Sequence, residues 1–422
     1  MSATDRRSGR HHYPGAAEPA SPGLGHGHGH GPAPPASRRV RMVLVAVLVP
    51  VALATLVGLW LTWPGDTPRS GADIGFGQRP VHGEVLAAAS APCSSGSTGI
   101  GGASQANRCI SLDVQLTDGD SPGVTIQQVL PDEPSTPRFT VGDHVVLAYT
   151  GGNPSESGSY QVQDFQRGTS MLWLVALFVA AVLLLGRWRG LASLVALGFS
   201  FLVLVVYLFP ALLTGRDPVI VGVLAASVIM FGVLYLTHGV SARTSSAVLG
   251  TVLSLALIGV LGIAFSAATQ LTGLDDDTGN LIRVLGHGVD ARGLLLAGMI
   301  IGALGVLDDV TVTQTSAVWE LRRANPALGA WALYTAAVRI GRDHVSSAVN
   351  TLALAYAGAA LPVLLTFSLS EQVFGTLITA QNIAQEVVRT LVGSIGLVAA
   401  VPITTAIAAV VAHCDEIAPV PS

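Results

Sequence analysis

Apolar residues along this chain come in long unbroken runs rather than in short alternating patches. The first, Met42 to Trp63, holds 22 nearly uncharged residues behind Arg38, Arg39 and Arg41, enough to cross a hydrocarbon core that needs about 20. It ends in GLWLTW rather than in small residues, so it reads as an uncleaved anchor. Seven more runs follow: Thr169 to Gly186, Leu191 to Leu213, Pro218 to Leu236, Ala247 to Ala268, Leu294 to Val318, Val345 to Phe367 and Leu391 to Ala412. The pattern predicts an α-helical polytopic membrane protein with about eight membrane helices.

Between the first and second runs the pattern changes. HGEVLAAA, CISLDVQLTDG, GVTIQQVLP, DHVVLAYTG and SYQVQDFQR carry β-branched residues with partial alternation, separated by GDSPG, DEPSTP and GGNPSESG. Five short strands predict a small β-barrel-like, OB-like domain over residues 64–168, with an irregular sandwich as the alternative. Cys93 and Cys109 both fall in this region and form a disulfide if it lies in an oxidising compartment. Residues 1–41 are a Pro-, Gly- and His-rich tail without the apolar content to fold. His26, His28 and His30 in that tail could hold a metal only loosely, and no metal site is expected. The membrane domain then spans 169–412, followed by a tail over 413–422.

Two connectors are longer than simple loops. In NPALGAWALYTAAVRIGRD, Asn325 reads as a helix cap with Pro326 at the first helical position, giving an amphipathic helix flat on the membrane surface. EQVFGTLITAQNIAQEVVR has apolar residues at helical spacing and predicts a second interfacial helix.

Charge orients the spans. With the N-terminus in the cytoplasm, ten arginines flank the inner ends (Arg38, Arg39, Arg41, Arg187, Arg189, Arg243, Arg322, Arg323, Arg339 and Arg342) and four the outer ends (Arg216, Arg283, Arg292 and Arg389). The excess of positive charge on one side places both termini inside and residues 64–168 outside. Charged residues make up 11% of the chain, against roughly 25% in soluble domains. A net charge of −4 and no basic–aromatic motif argue against nucleic acid as a partner.

One run carries acids. Asp308 is the fifteenth residue of the 25-residue stretch from Leu294 to Val318, near mid-depth at 1.5 Å per residue. An acid there costs at least ~2.5 kcal/mol, so Asp308 and Asp309 must face protein or water. Two such neighbours should also not titrate alike. Gly298, Gly302, Gly305, Asp309, Ser316 and Glu320 share one side of the helix, where the glycines would admit a close neighbour. Asp308, Thr311 and Thr315 form an adjoining stripe, and Thr313 and Gln314 complete a set of neutral oxygen ligands beside the carboxylates. The next run opens with GRDHVSSAVNT, in which Asp343, His344, Ser347, Asn350 and Thr351 overlap on one face entering from the same end. Together these residues form a candidate ion, proton or solute site.

The segments GALGVLDDVTVTQTSAVWELRRANP and RIGRDHVSSAVNTLALAYAGAALPVLL resemble the signature segments of the YibE/F-like family of bacterial multi-pass membrane proteins. The resemblance covers about residues 170 to 412, and the preceding β-rich region is also similar to the family pattern. It implies the membrane architecture and a bacterial plasma-membrane location. It names no reaction.

Three functional classes compete. A permease would use the acids, hydroxyls and Asn350 as a cation or proton site, with Pro210, Pro362 and Pro402 supplying kinks; no inverted repeat is visible. A scaffold or sensor would bind a ligand or partner through the outer domain and use the polar membrane residues only to hold helices together. An enzyme is disfavoured: DDVTV lacks the last acid of DDxxD, GVLDD is not GxGD, and without any lysine no P-loop can exist. The expected partners are the bilayer, an unidentified small solute or ion, and a second copy or another subunit, with no cofactor.

Overall fold

A computed structural model describes residues 37–65, 78–93, 108–134, 136–275, 278–280, 282, 290–369 and 379–415. The His-rich stretch and residues 371–378 of the second connector lie outside the described residues; from Gln381 on, that connector forms no separate interfacial helix but the first turns of the last long helix, Gln381–Cys414.

Helix α1 (Arg38–Thr62) starts where the Ser37 hydroxyl accepts the Val40 N–H at 3.4 Å, a standard use of serine at a helix start. The five β-like segments are all strands: β1 (Arg79–Ala91), β2 (Cys109–Leu116), β3 (Thr125–Pro131), β4 (His144–Tyr149) and β5 (Tyr160–Phe165). They form one antiparallel sheet in the order β3-β2-β1-β4-β5, with bulges after Val85 and Val146. Alternate residues fill one face, where Val85, Leu112, Val114, Val145 and Leu147 are fully buried. The sheet curls, yet among the described residues no ladder joins its edges β3 and β5. The edges are bridged instead through the turn before β5, where the Gln127 N–H donates to Ser157 Oγ at 3.0 Å and Gln128 Nε2 to the Ser157 carbonyl at 2.7 Å. Cys93 and Cys109 are disulfide-bonded, tying the end of β1 to the start of β2.

Among the described residues, six helices are long and apolar enough to cross a membrane, fewer than the eight runs in the sequence, and two differences account for this. First, Thr169 to Gly186 and Leu191 to Leu213 fall in one continuous stretch, α2 (Gly168–Val203), a π-turn (Leu204–Leu208) and α3 (Phe209–Leu213). That stretch is broken at Arg187, whose φ of 49° and ψ of −126° are not helical. The chain turns so sharply there that a Cβ on Gly190 would lie 2.3 Å from the Val182 carbonyl oxygen. Second, the interfacial helix expected after Asn325 is not separate from the next run. Asn325 ends α6 (Ala291–Ala324) rather than capping a new helix, and its side chain accepts the Ala327 N–H at 3.1 Å in the connecting turn. Helix α7 (Ala330–Ala359) then continues through GRDH without interruption, and α8 (Leu361–Ser368) follows it. Polar side chains change a helix's surroundings but remove no backbone hydrogen bond, so α7 persists until shortly before Pro362. It is not among the six by apolar content.

The remaining helices are α4 (Pro218–His238), α5 (Ala242–Ala268) and α9 (Gln381–Cys414). Asp217 caps α4 by accepting the N–H groups of Val219 and Ile220 at 2.9 and 3.0 Å, with Pro218 at its first position. Helices α5, α6 and α9 pack together around Ile258, Leu296, Leu307, Val310, Leu397 and Ala400. Outward-facing residues such as Leu184, Leu185 and Trp173 are 83%, 92% and 75% exposed, as lipid-facing positions would be.

Candidate functional site

Helix α6 has two unlike sides at Asp308 and Asp309. One side is packed: Thr311, Gln314 and Thr315 are buried against α5 and α9. Thr311 Oγ1 lies 2.9 Å from Thr251 Oγ1 on α5, and Thr405 of α9 donates to Gln314 Oε1 at 3.0 Å. The Thr315 hydroxyl bonds back to the Val312 carbonyl at 2.9 Å. Asp308 is partly buried at the margin of this packed side, and its Oδ1 is buried without a hydrogen-bond partner. Thr404 Oγ1, on α9, is likewise buried and unpartnered.

The other side of α6 is open. Gly298, Gly302, Gly305 and Asp309 are all exposed. The expectation that these glycines let a neighbouring helix approach closely is corrected: a Cβ on Gly298 or Gly305 would meet nothing within 4 Å, and on Gly302 only the phenol of Tyr356. Close approaches occur elsewhere, where Gly222 meets Ala297, Gly250 meets Thr404, Gly341 meets Gln314 and Gly396 meets Ile258. Helical spacing identified which residues share a face but not what that face would meet.

Across the open side stands α7. His344 Nε2 lies 3.7 Å from Asp309 Oδ2, with side chains 42% and 78% exposed, a loose pair of little energetic weight. His344 is the one member of the second polar cluster brought to the acids. Asp343, Ser347, Asn350 and Thr351 are exposed, and the Thr351 hydroxyl is engaged with the Ser347 carbonyl at 3.0 Å. Thr313 and Ser316 are half-buried.

The sequence reading missed Thr251, Thr404, Thr405 and Gly341. Thr404 and Thr405 follow Pro402 in an otherwise apolar run, and a hydroxyl pair beside a proline that frees a backbone carbonyl was the available signal. Among the described residues no group of three His, Cys, Asp or Glu side chains is placed to hold a metal ion.

All these residues fall in one stretch of sequence: residues 174–414, more than half of the 422, match the family described as YibE/F-like protein. The chain belongs to the YibE/F-like family. No curated protein and no solved structure matches it. The YibE/F-like region begins inside α2 and ends at the last residue of α9, so it includes both sides of α6 and leaves out the sheet.

Proposed function

We propose that this YibE/F-like protein is a permease of the bacterial plasma membrane, with a cation or proton site at Asp308 and Asp309. The observation that carries the reading is the division of the two acids. Asp308 presents an oxygen to a buried position with no donor, whereas the adjacent Asp309 stands on the open side facing His344. Neighbouring carboxylates, one occluded and one accessible, can pass a proton or small cation between two environments without a large movement of the backbone. Thr311 and Thr251 supply hydroxyl oxygens beside the occluded acid.

Eight crossings, both ends cytoplasmic and the sheet outside complete the proposal. The break at Arg187 makes two crossings of the Gly168–Leu213 stretch, raising six to seven. At the two ends of the membrane part, the Ser37 backbone N–H donates to the Asp415 carboxylate at 2.7 Å, so α1 begins where α9 ends. A chain that starts and finishes on one side crosses an even number of times. Helices α7 and α8 together supply the eighth crossing.

A scaffold is the second reading, favoured by the Thr251–Thr311 and Thr405–Gln314 bonds, which join helices without needing a solute. Asparagine keeps the size and hydrogen bonding of aspartate but does not titrate. Asp308→Asn and Asp309→Asn should each abolish complementation of a deletion strain while leaving expression and stability in detergent nearly unchanged. Wild-type complementation by both would overturn the permease reading; loss of the folded protein in both would favour the scaffold.

A further inference from the structure

A cavity of about 740 Å³ lies between α7, α8 and the first turns of α9, a volume typical of small-molecule sites. Neither Asp308 nor Asp309 lines it. Much of its wall is apolar, including Ala357, Val363 and Leu364, but α9 contributes Asn382, Gln385, Glu386 and Arg389. Their spacing of three, one and three residues puts all four on one helical face. Gln385 is 2% exposed, yet its Nε2 has no hydrogen-bond partner, and the Nε of Arg389 is also buried and unpartnered. The other edge of that guanidinium is in use, with Nη1 3.5 Å from Glu386 Oε1.

Buried N–H donors without an acceptor are unfavourable, and native structures rarely keep them idle. An amide N–H and a guanidinium N–H one helical turn apart suit the two oxygens of a carboxylate. Charge balance narrows the ligand further. Glu386 already neutralises Arg389, and Asp275 also lines the cavity, so a phosphate ester or dicarboxylate would bring uncompensated negative charge into an apolar site. We propose that this cavity binds a zwitterion of amino-acid type: its carboxylate on Arg389 Nε and Gln385 Nε2, its ammonium on Glu386, and an apolar side chain against Ala357, Val363 and Leu364.

Tyr356, which lines the cavity, also touches the open side of α6: a Cβ on Gly302 would lie 2.8 Å from the Tyr356 hydroxyl. Asp309 stands on that same open side, two helical turns further along. This inference rests on the permease reading, since it names what the permease carries. Binding at equilibrium needs no transport, however, so the two can fail separately.

The test is calorimetric titration of the purified full chain in detergent with glycine, alanine, valine and leucine, each matched to its deaminated acid and decarboxylated amine (isocaproate and isopentylamine for leucine). The expected result is saturable binding of at least one amino acid, about tenfold or more weaker for both matched analogues. Arg389→Gln and Gln385→Leu should each weaken it about tenfold, and Glu386→Gln should remove the preference for the amino acid over its deaminated acid. No saturable binding, equal binding of the deaminated acid by wild type, or unchanged affinity in Glu386→Gln and Gln385→Leu would overturn the proposal.

Discussion

At position 341 a Cβ would lie 2.0 Å from Gln314 Nε2 and 2.7 Å from Val401 Cγ1. Gln314 is 1% exposed and held by Thr405, so it cannot swing aside. Alanine would gain up to ~1 kcal/mol of helix propensity, but overpacking costs typically ~1–3 kcal/mol. Gly341→Ala should therefore lower the melting temperature in detergent, and an increase would show that α7 does not rest on Gln314 as described. Individual residues were unevenly legible. The acids of α6 stand out in the sequence because carboxylates in an apolar run are rare, whereas Gly341 is one glycine among 48 and its role comes from a neighbour 27 positions away. Periodicity grouped Gly298, Gly302, Gly305 and Asp309 correctly on one side. Only the packing of the other helices reveals that this side is open.

At the scale of elements, the turn at Arg187 and the continuity of α7 depend on backbone conformation. Arg187 holds φ at 49° and ψ at −126°, a region where a side chain is strained by about 1–3 kcal/mol and glycine is not. Arg187→Gly should raise stability by about 1 kcal/mol and Arg187→Val lower it, measured by thermal unfolding in detergent; the reverse order would mean that no turn is formed there. The boundary between Gly186 and Leu191 was legible because charged residues and glycines interrupt an apolar run. The same logic fails at GRDH, where charge marks no helix boundary. Without proline or a helix-ending turn, α7 runs through its charges, and Arg342→Pro should cost about 3 kcal/mol by removing a backbone bond and clashing with the preceding turn. Tolerance of that proline in the same unfolding measurement would mean a hinge divides the helix. The five strands were legible throughout, since alternation and the glycine- and proline-rich turns between them agree. How the sheet edges meet was not, because the bridge through Ser157 lies in a turn with no periodic signal.

For the molecule as a whole, the proposed topology makes a labelling prediction. In a Cys414→Ser background, Ser155→Cys in the turn before β5 should react with an impermeant maleimide added to intact cells, and Ala327→Cys between α6 and α7 should react only after permeabilisation. Labelling in the opposite sense would invert the topology, and labelling of both from outside would break the even count of crossings. The arginine distribution made orientation arguable from sequence alone, but the meeting of Ser37 with Asp415, 378 positions apart, has no local signature. That contact brings a further property. Because α1 begins against the residue that follows α9, the membrane part is nearly a closed ring, and a few residues linking positions 37 and 415 would complete it. A ring can be cut at another surface turn, such as 214–217 between α3 and α4, without disturbing any pair of packed helices. The order in which the helices are read along the chain is thus separable from the arrangement they build.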